Sequence, residues 1–328
     1  HIAGTGRPGP VLIDVPKNVQ LAKFEGSLDV EIDLPGYRPT VVGHAKQIRK
    51  AAEAVIAAKR PVLIVGGGGQ VAPREVADLV ERTGIPVITT LMGIGSYPPA
   101  ATETLGMPGM HGTVTANKAI SNCDLILAAG IRFDDRVTGK ISRFAPNATV
   151  VHIDIDPAEI GKLVRAHVPV VGDLRDVLPR LTQELGYLDI GPWRETLQGW
   201  KATYPEKYQL DKPLVSQEVL AMLREATGGN CIVATEVGQH QMFAARLLPT
   251  TKARSFITSG GLGTMGFGLP SAIGAAIARP GETVVLVAGD GSIQMNIQEL
   301  ATLYKQNLPI VIAILNNGML GMVRQWQE

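Results

Sequence analysis

Short apolar runs recur along this chain, and stretches with helical spacing separate many of them. A run with no polar alternation must be buried on both faces, which a strand achieves inside a parallel sheet covered by helices. The runs Pro61–Val65, Pro86–Thr90, Asp124–Ala129, Val150–Ile155 and Val168–Val171 therefore predict one α/β unit, with helices over Ala45–Ala58 and Pro73–Arg82. A second set, Cys231–Thr235, Thr283–Val287 and Ile310–Leu315, restarts the pattern after a helix over Ser216–Ala226, for which Ser216 is the expected N-cap. The fold class that follows is tandem doubly wound parallel-sheet domains.

Two polar stretches divide the chain. Residues 21–40 read as a linker, and so do residues 186–212, which carry Trp193, Trp200, Tyr204 and Tyr208. The units are then 1–20, 41–185 and 213–328. An apolar run, Val11–Val15, lies in the first of these. Neither terminus reads as a natural end, since His1 opens in mid-motif and Glu328 closes just after one. A longer parent protein is expected, and a leader peptide stays open.

Composition excludes several classes. Lys plus Arg is 31 against 30 for Asp plus Glu, so nothing in the charge balance favours nucleic acid or an anionic membrane. No apolar run approaches the roughly 20 residues that span a bilayer. Cys123 and Cys231 lack metal-ligand spacing and read as free thiols of a reducing compartment.

The strongest chemical signal lies between the last two runs. Val284–Ala288 leads into Gly289-Asp290-Gly291-Ser292, and Ile310–Leu315 leads into Asn316-Asn317, with 24 residues between Gly291 and Asn316. Both polar clusters fall at carboxyl ends of strands, where open α/β sheets bind ligands. Glycines let backbone approach a phosphate, and an Asp carboxylate with an Asn amide oxygen suits Mg²⁺. A main-chain oxygen at Met319 would extend the set. In the other unit, Val65 followed by Gly66–Gly69 marks a tight βα turn but departs from the G-x-G-x-x-G dinucleotide pattern. Asp154 and Asp156 end a strand, where an acid can meet a ribose or, as Asp156 before Pro157, cap the next helix.

GDGSIQMNIQELATLYKQNLPIVIAILNN resembles the thiamine-diphosphate motif of the pyruvate-decarboxylase-like enzymes. The strings EVGQHQMFAA (236–245), SGGLGTMGFGLPSAIGAA (259–276), GMVRQWQ (321–327), GMHGTVTAN (109–117) and RFDDRVTGK (132–140) narrow the resemblance to the acetolactate synthase family, over the whole chain. That resemblance implies a thiamine-diphosphate-binding fold with a central Rossmann-like domain that binds FAD. It makes residues 1–20 the tail of an N-terminal pyrimidine-binding domain, and it puts the glutamate that activates the cofactor outside this chain. It implies Asp290, Asn317 and Met319 as holders of Mg²⁺. Val237, Gly238, Gln239, His240, Gly289, Gly291, Ser292, Gly321 and Met322 would lie at the diphosphate. Gly263 and Met265 would meet the aminopyrimidine, with Met265 propping it. His240 reads as a positioning residue rather than a general base. Met265 read on residue type alone would be core.

For FAD the resemblance implies Arg7, Gly66, Gly67, Gly68, Met92, Met110, His111, Gly130, Arg132, Asp134, Asp154, Ile155 and Asp173. Arg136 and Trp326 would hold the second 2-keto acid, Arg136 its carboxylate and Trp326 its alkyl tail. Without the resemblance, Arg136 reads as a surface partner of Asp134 or Asp135, and Trp326 as core. The activity implied is decarboxylation of pyruvate and transfer of the two-carbon unit to pyruvate or 2-ketobutyrate, in branched-chain amino acid synthesis. A homodimer or homotetramer with a small regulatory subunit is implied, in a bacterial cytoplasm or, for an organellar form, a plastid or mitochondrion. Glyoxylate carboligase, pyruvate oxidase and a non-catalytic cofactor-binding module are the alternatives.

Overall fold

The computed structural model describes residues 1–27, 29, 31–205 and 215–327. Tyr208 and the expected domain start at residue 213 lie outside the described residues. Two parallel sheets carry the chain. The first contains β1 (Pro61–Val65), β2 (Val87–Thr89), β3 (Thr104–Gly106), β4 (Leu125–Ala129), β5 (Thr149–Asp154) and β6 (Val168–Val171). Their order is β3-β2-β1-β4-β5-β6. The second contains β7 (Ile232–Thr235), β8 (Phe256–Ile257), β9 (Val284–Gly289) and β10 (Ile310–Leu315), in the order β10-β9-β7-β8. Every described pair is parallel, as the unalternated apolar runs require.

The central strands β1, β4 and β9 are buried along their whole length. Helices Ala45–Ala57, Pro73–Thr83 and Leu174–Gln183 turn Ile48, Val55, Val76, Leu79, Val177 and Leu181 onto the first sheet. Helices Gln239–Leu247 and Gly268–Ala278 cover the two faces of the second, one packing with Val233 and Val285 and the other with Ala234 and Leu286. Cys123 and Cys231 are buried and unbridged, and burial pushes the Cys123 thiol up to about 12.

The structure departs from the sequence expectations in four places. The apolar run Val11–Val15 forms no strand and is exposed, pairing with neither sheet. The stretch 186–212, expected as a linker, contains a helix over Gly191–Thr203. Its Trp193 is buried in the first core, donates from Nε1 to the Pro61 carbonyl at 3.1 Å, and meets Trp200 edge-on at 5.6 Å. Ser216 is the first residue of the helix Ser216–Thr227; Val215 takes the N-cap position and makes no side-chain cap bond. Strands β3 and β8 were not expected, since two or three residues at a sheet edge give no readable period.

The two units are keyed together. Ile94 and Met107, from segments that follow β2 and β3, are buried in the core of the second sheet. The Gln70 side chain donates to the Met92 and Ile94 carbonyls and accepts from Arg254 N at 2.6 Å. This seam holds the carboxyl ends of β2 and of the second sheet against one cavity.

Candidate active site

Strand β9 ends at Gly289 and passes directly into a short helix, Asp290–Ile293. Its neighbour β10 runs in register, Leu315 opposite Gly289, so the following Asn317 arrives beside Asp290. Asn317 N donates to Asp290 Oδ1 at 3.3 Å, and Asn317 Nδ2 donates to Gln239 Oε1 at 3.3 Å. Asn317 Oδ1 accepts from Met319 N at 3.1 Å. Three segments distant in sequence thus converge at the carboxyl end of one sheet. Ser292 Oγ, donating to the Val237 carbonyl at 3.4 Å, ties in the loop after β7.

His240 lies under this junction. A Cβ on Gly289 would stand 2.8 Å from its Nδ1 and 3.1 Å from its Cε1, so only glycine lets β9 end against the ring. Burial drives the His240 imidazole down to about 4, against a raising influence from Asp290, so the ring is neutral near pH 7.

A cavity of about 540 Å³ opens above these groups. Val237, Gly238, Gln239, His240, Gly263, Met265, Gly289, Asp290, Gly291, Ser292, Asn317, Met319, Gly321 and Met322 all line it. A Cβ on Gly291 would lie 3.0 Å from Leu320 Cδ2 and 3.9 Å from Met265 Cε, so that glycine keeps the passage between loop and Met265 open. Met265 faces the cavity rather than a core. The opposite wall comes from the first unit: Met92, Met110, His111, Asp134 and Arg136. Trp326 also lines the cavity and is 61% exposed, so it is not core; its ring meets His111 edge-on at 6.4 Å. The ion pair of Asp134 goes to Arg132 at 3.3 Å, not to Arg136.

The remaining residues of the FAD set do not line this cavity. Gly66, Gly67, Gly68 and Gly130 sit at the carboxyl ends of β1 and β4, the switch point of the first sheet. Gly68 N donates to the Gly130 carbonyl at 3.0 Å, and a Cβ on Gly68 would lie 2.7 Å from Gly130 Cα. Gly130 has φ +60°, so both loops need glycine to meet backbone to backbone. Asp154 is buried at the end of β5, with Ile155 after it; burial pushes its carboxyl up, and Oδ1 accepts from Asp156 N at 2.9 Å. Asp156 Oδ1 accepts from Ala158 N at 3.0 Å, capping a turn rather than a helix. Arg7 bridges Asp156 at 3.2 Å and Glu159 at 2.8 Å. Asp173 caps the helix Leu174–Gln183 and is paired with Arg175, which pulls its carboxyl below the usual range.

Sequence reasoning missed Glu236. It is fully buried after β7, accepts from Gly268 N at 3.0 Å, and stands 3.9 Å from His240. Its only signal was its place inside EVGQHQMF, where an acid after a strand reads as surface.

A pair of hard oxygen donors at adjoining strand ends, glycine-tight loops and a cavity whose far wall mixes Met92 and Met110 with Asp134 and Arg136 describe a cofactor-dependent enzyme of the diphosphate-binding α/β kind. Comparison with known families agrees: the thiamine pyrophosphate enzyme central domain matches residues 48–181, and the thiamine pyrophosphate enzyme C-terminal TPP-binding domain matches residues 236–328. The chain belongs to the thiamine pyrophosphate enzyme family. Over its whole length it is 48% identical to an acetolactate synthase of Mycobacterium bovis, 46% to acetolactate synthase isozyme 3 large subunit of Escherichia coli, and 48% to a probable acetolactate synthase large subunit of Methanocaldococcus jannaschii. It spans 55%, 59% and 58% of those proteins respectively.

Proposed function

We propose that the protein is the catalytic subunit of an acetolactate synthase, which decarboxylates pyruvate and joins the two-carbon unit to a second 2-keto acid. Pyruvate as acceptor gives 2-acetolactate, and 2-ketobutyrate gives 2-aceto-2-hydroxybutyrate, both in branched-chain amino acid biosynthesis. The observation that carries this reading is the convergence of Asp290 and Asn317 on one cavity whose other wall bears Arg136 and Met110. Thiamine diphosphate fits there: Asp290, Asn317 and the Met319 carbonyl would hold its Mg²⁺, and Gly289, Gly291 and His240 form a floor that a Cβ would fill. When bound, the cofactor supplies the electron sink that 2-keto acid decarboxylation needs.

The chain's own residues bind and orient. Met265 reaches the cavity beside Gly291 and would buttress the pyrimidine side, a task suited to a long, adaptable apolar chain. Arg136 would grip the acceptor carboxylate with its planar fork. Trp326, standing free of the core beside His111, would wall the acceptor's alkyl tail. FAD would lie along the switch point of the first sheet, with Asp154 toward its ribose and Met92, Met110 and His111 toward its ring end, and would not turn over. Intact protein would assemble at least as a homodimer and associate with a small regulatory subunit. Bacterial and archaeal relatives support a cytoplasmic site of action; no described helix is long and apolar enough to cross a membrane.

Product analysis tests this. Intact protein given pyruvate, thiamine diphosphate and Mg²⁺ should release CO₂ and 2-acetolactate, with bound flavin neither consumed nor reduced stoichiometrically. Acetate or acetyl phosphate with flavin reduction would identify an oxidase instead.

A further inference from the structure

Two buried polar atoms face one another beneath the cavity without a partner. Glu236 Oε1 and His240 Nε2 make no hydrogen bond and stand 3.9 Å apart. The other carboxyl oxygen, Oε2, is committed to Gly268 N at 3.0 Å, at the start of the helix Gly268–Ala278, so the Glu236 side chain is anchored on one side. The His240 ring is anchored too. Its Nδ1–Cε1 edge lies between Gly238 and Gly289, where a Cβ on either glycine would come within 2.8 Å of Nδ1. An unpartnered buried acceptor keeps its full desolvation penalty, and two facing each other also repel. One proton between them removes both penalties.

We propose that Glu236 is a positioning residue whose carboxyl O–H donates to His240 Nε2, leaving the imidazole proton on Nδ1 and aiming an N–H donor at the anion side of the cavity. A bond of ordinary length, about 2.8 Å, needs the two groups to approach by about 1 Å. Desolvation favours the neutral form of each: it raises the Glu236 carboxyl and lowers the His240 imidazole. The alternative tautomer would turn a lone pair toward the phosphates. The inference rests on the reading of the cavity as a diphosphate site, and it adds how that site keeps a neutral histidine useful to an anion. Glu236 also couples the loop after β7 to the helix on the other face of the sheet.

The test uses intact protein labelled with ¹⁵N-histidine. Nitrogen shifts and ring couplings of His240 identify the tautomer without cofactor, and titration with thiamine diphosphate and Mg²⁺ gives affinity. E236Q keeps an amide donor for Nε2 and an acceptor for Gly268 N; it should retain the Nδ1–H tautomer and bind within about threefold of wild type. E236L removes the donor and should weaken binding by about tenfold or more, with a mixed tautomer. An Nε2–H tautomer in wild type, or E236Q binding as weakly as E236L, overturns the proposal. Should E236L fail to fold, wild type and E236Q still decide it. Wild-type protein that binds no thiamine diphosphate refutes the functional reading instead, and the tautomer then decides the pair alone.

Discussion

Asp290→Ala separates binding from folding. In the protein alone, the Asp290 carboxylate accepts one long hydrogen bond, from Asn317 N at 3.3 Å, at a half-exposed position. Losing such a bond costs about 0.5–1 kcal/mol. At about 2–4 °C per kcal/mol for a domain of 150–250 residues, the melting temperature should fall by no more than about 4 °C. The effect on the cofactor is far larger. Outer groups that merely orient metal ligands change affinity by about 10–100-fold, and Asp290 is read as a direct ligand, so the loss should exceed about 100-fold. That is about 2.7 kcal/mol or more. The assay is calorimetric titration of intact protein with thiamine diphosphate across a Mg²⁺ series, beside a thermal melt. Affinity should collapse and lose its Mg²⁺ dependence while the melt barely moves. Wild-type affinity, or a Mg²⁺ dependence that survives the substitution, would refute the metal assignment. A melt displaced by far more than 4 °C would show that the carboxylate serves the fold.

Gly289→Ala drives a methyl group to 2.8 Å from His240 Nδ1, so ring or strand must shift at a cost of about 1–3 kcal/mol; denaturant titration and cofactor affinity should both register it, and an unperturbed variant would discount the close approach. Trp193→Ala empties a buried site and breaks the bond to Pro61, costing about 3–5 kcal/mol by urea denaturation; a loss below about 1 kcal/mol would return residues 191–203 to the status of a linker. Trp326→Leu should leave stability almost unchanged, because the ring is exposed, while eroding preference for 2-ketobutyrate over pyruvate in a competition assay. One methylene bounds that change at about 1–3 kcal/mol, and an unchanged product ratio would remove Trp326 from the acceptor wall.

Parallel sheets write themselves into sequence because their strands are buried on both sides. β1, β4 and β9 were legible for that reason, and their observed bounds differ from the expected ones by at most two residues. The elements that escaped are those whose residues serve a contact made elsewhere. Gly191–Thr203 looks polar and aromatic in the manner of a tether, yet its Trp193 becomes core once Pro61 offers a carbonyl. Val11–Val15 looks like a strand, but a strand exists only where a neighbour completes its hydrogen bonds. Ile94 and Met107 read as ordinary members of the first unit, although their side chains pack in the second.

The site divides along the same line. Asp290 and Asn317 could be placed beside one another from sequence because each ends an apolar strand, and parallel register then fixes their separation. Glu236 could not, since its role depends on a histidine one helical turn away and on a helix that starts 32 residues later. A carboxyl after a strand is ordinarily solvated, and only burial on every side makes it carry a proton. The legible half of the site consists of groups that would meet a ligand. The illegible half consists of groups that would hold the first half still, and their identity depends on packing that no local pattern records. His240 belongs to both: its place in the cavity follows from its motif, but the edge it would present to an anion depends on Glu236.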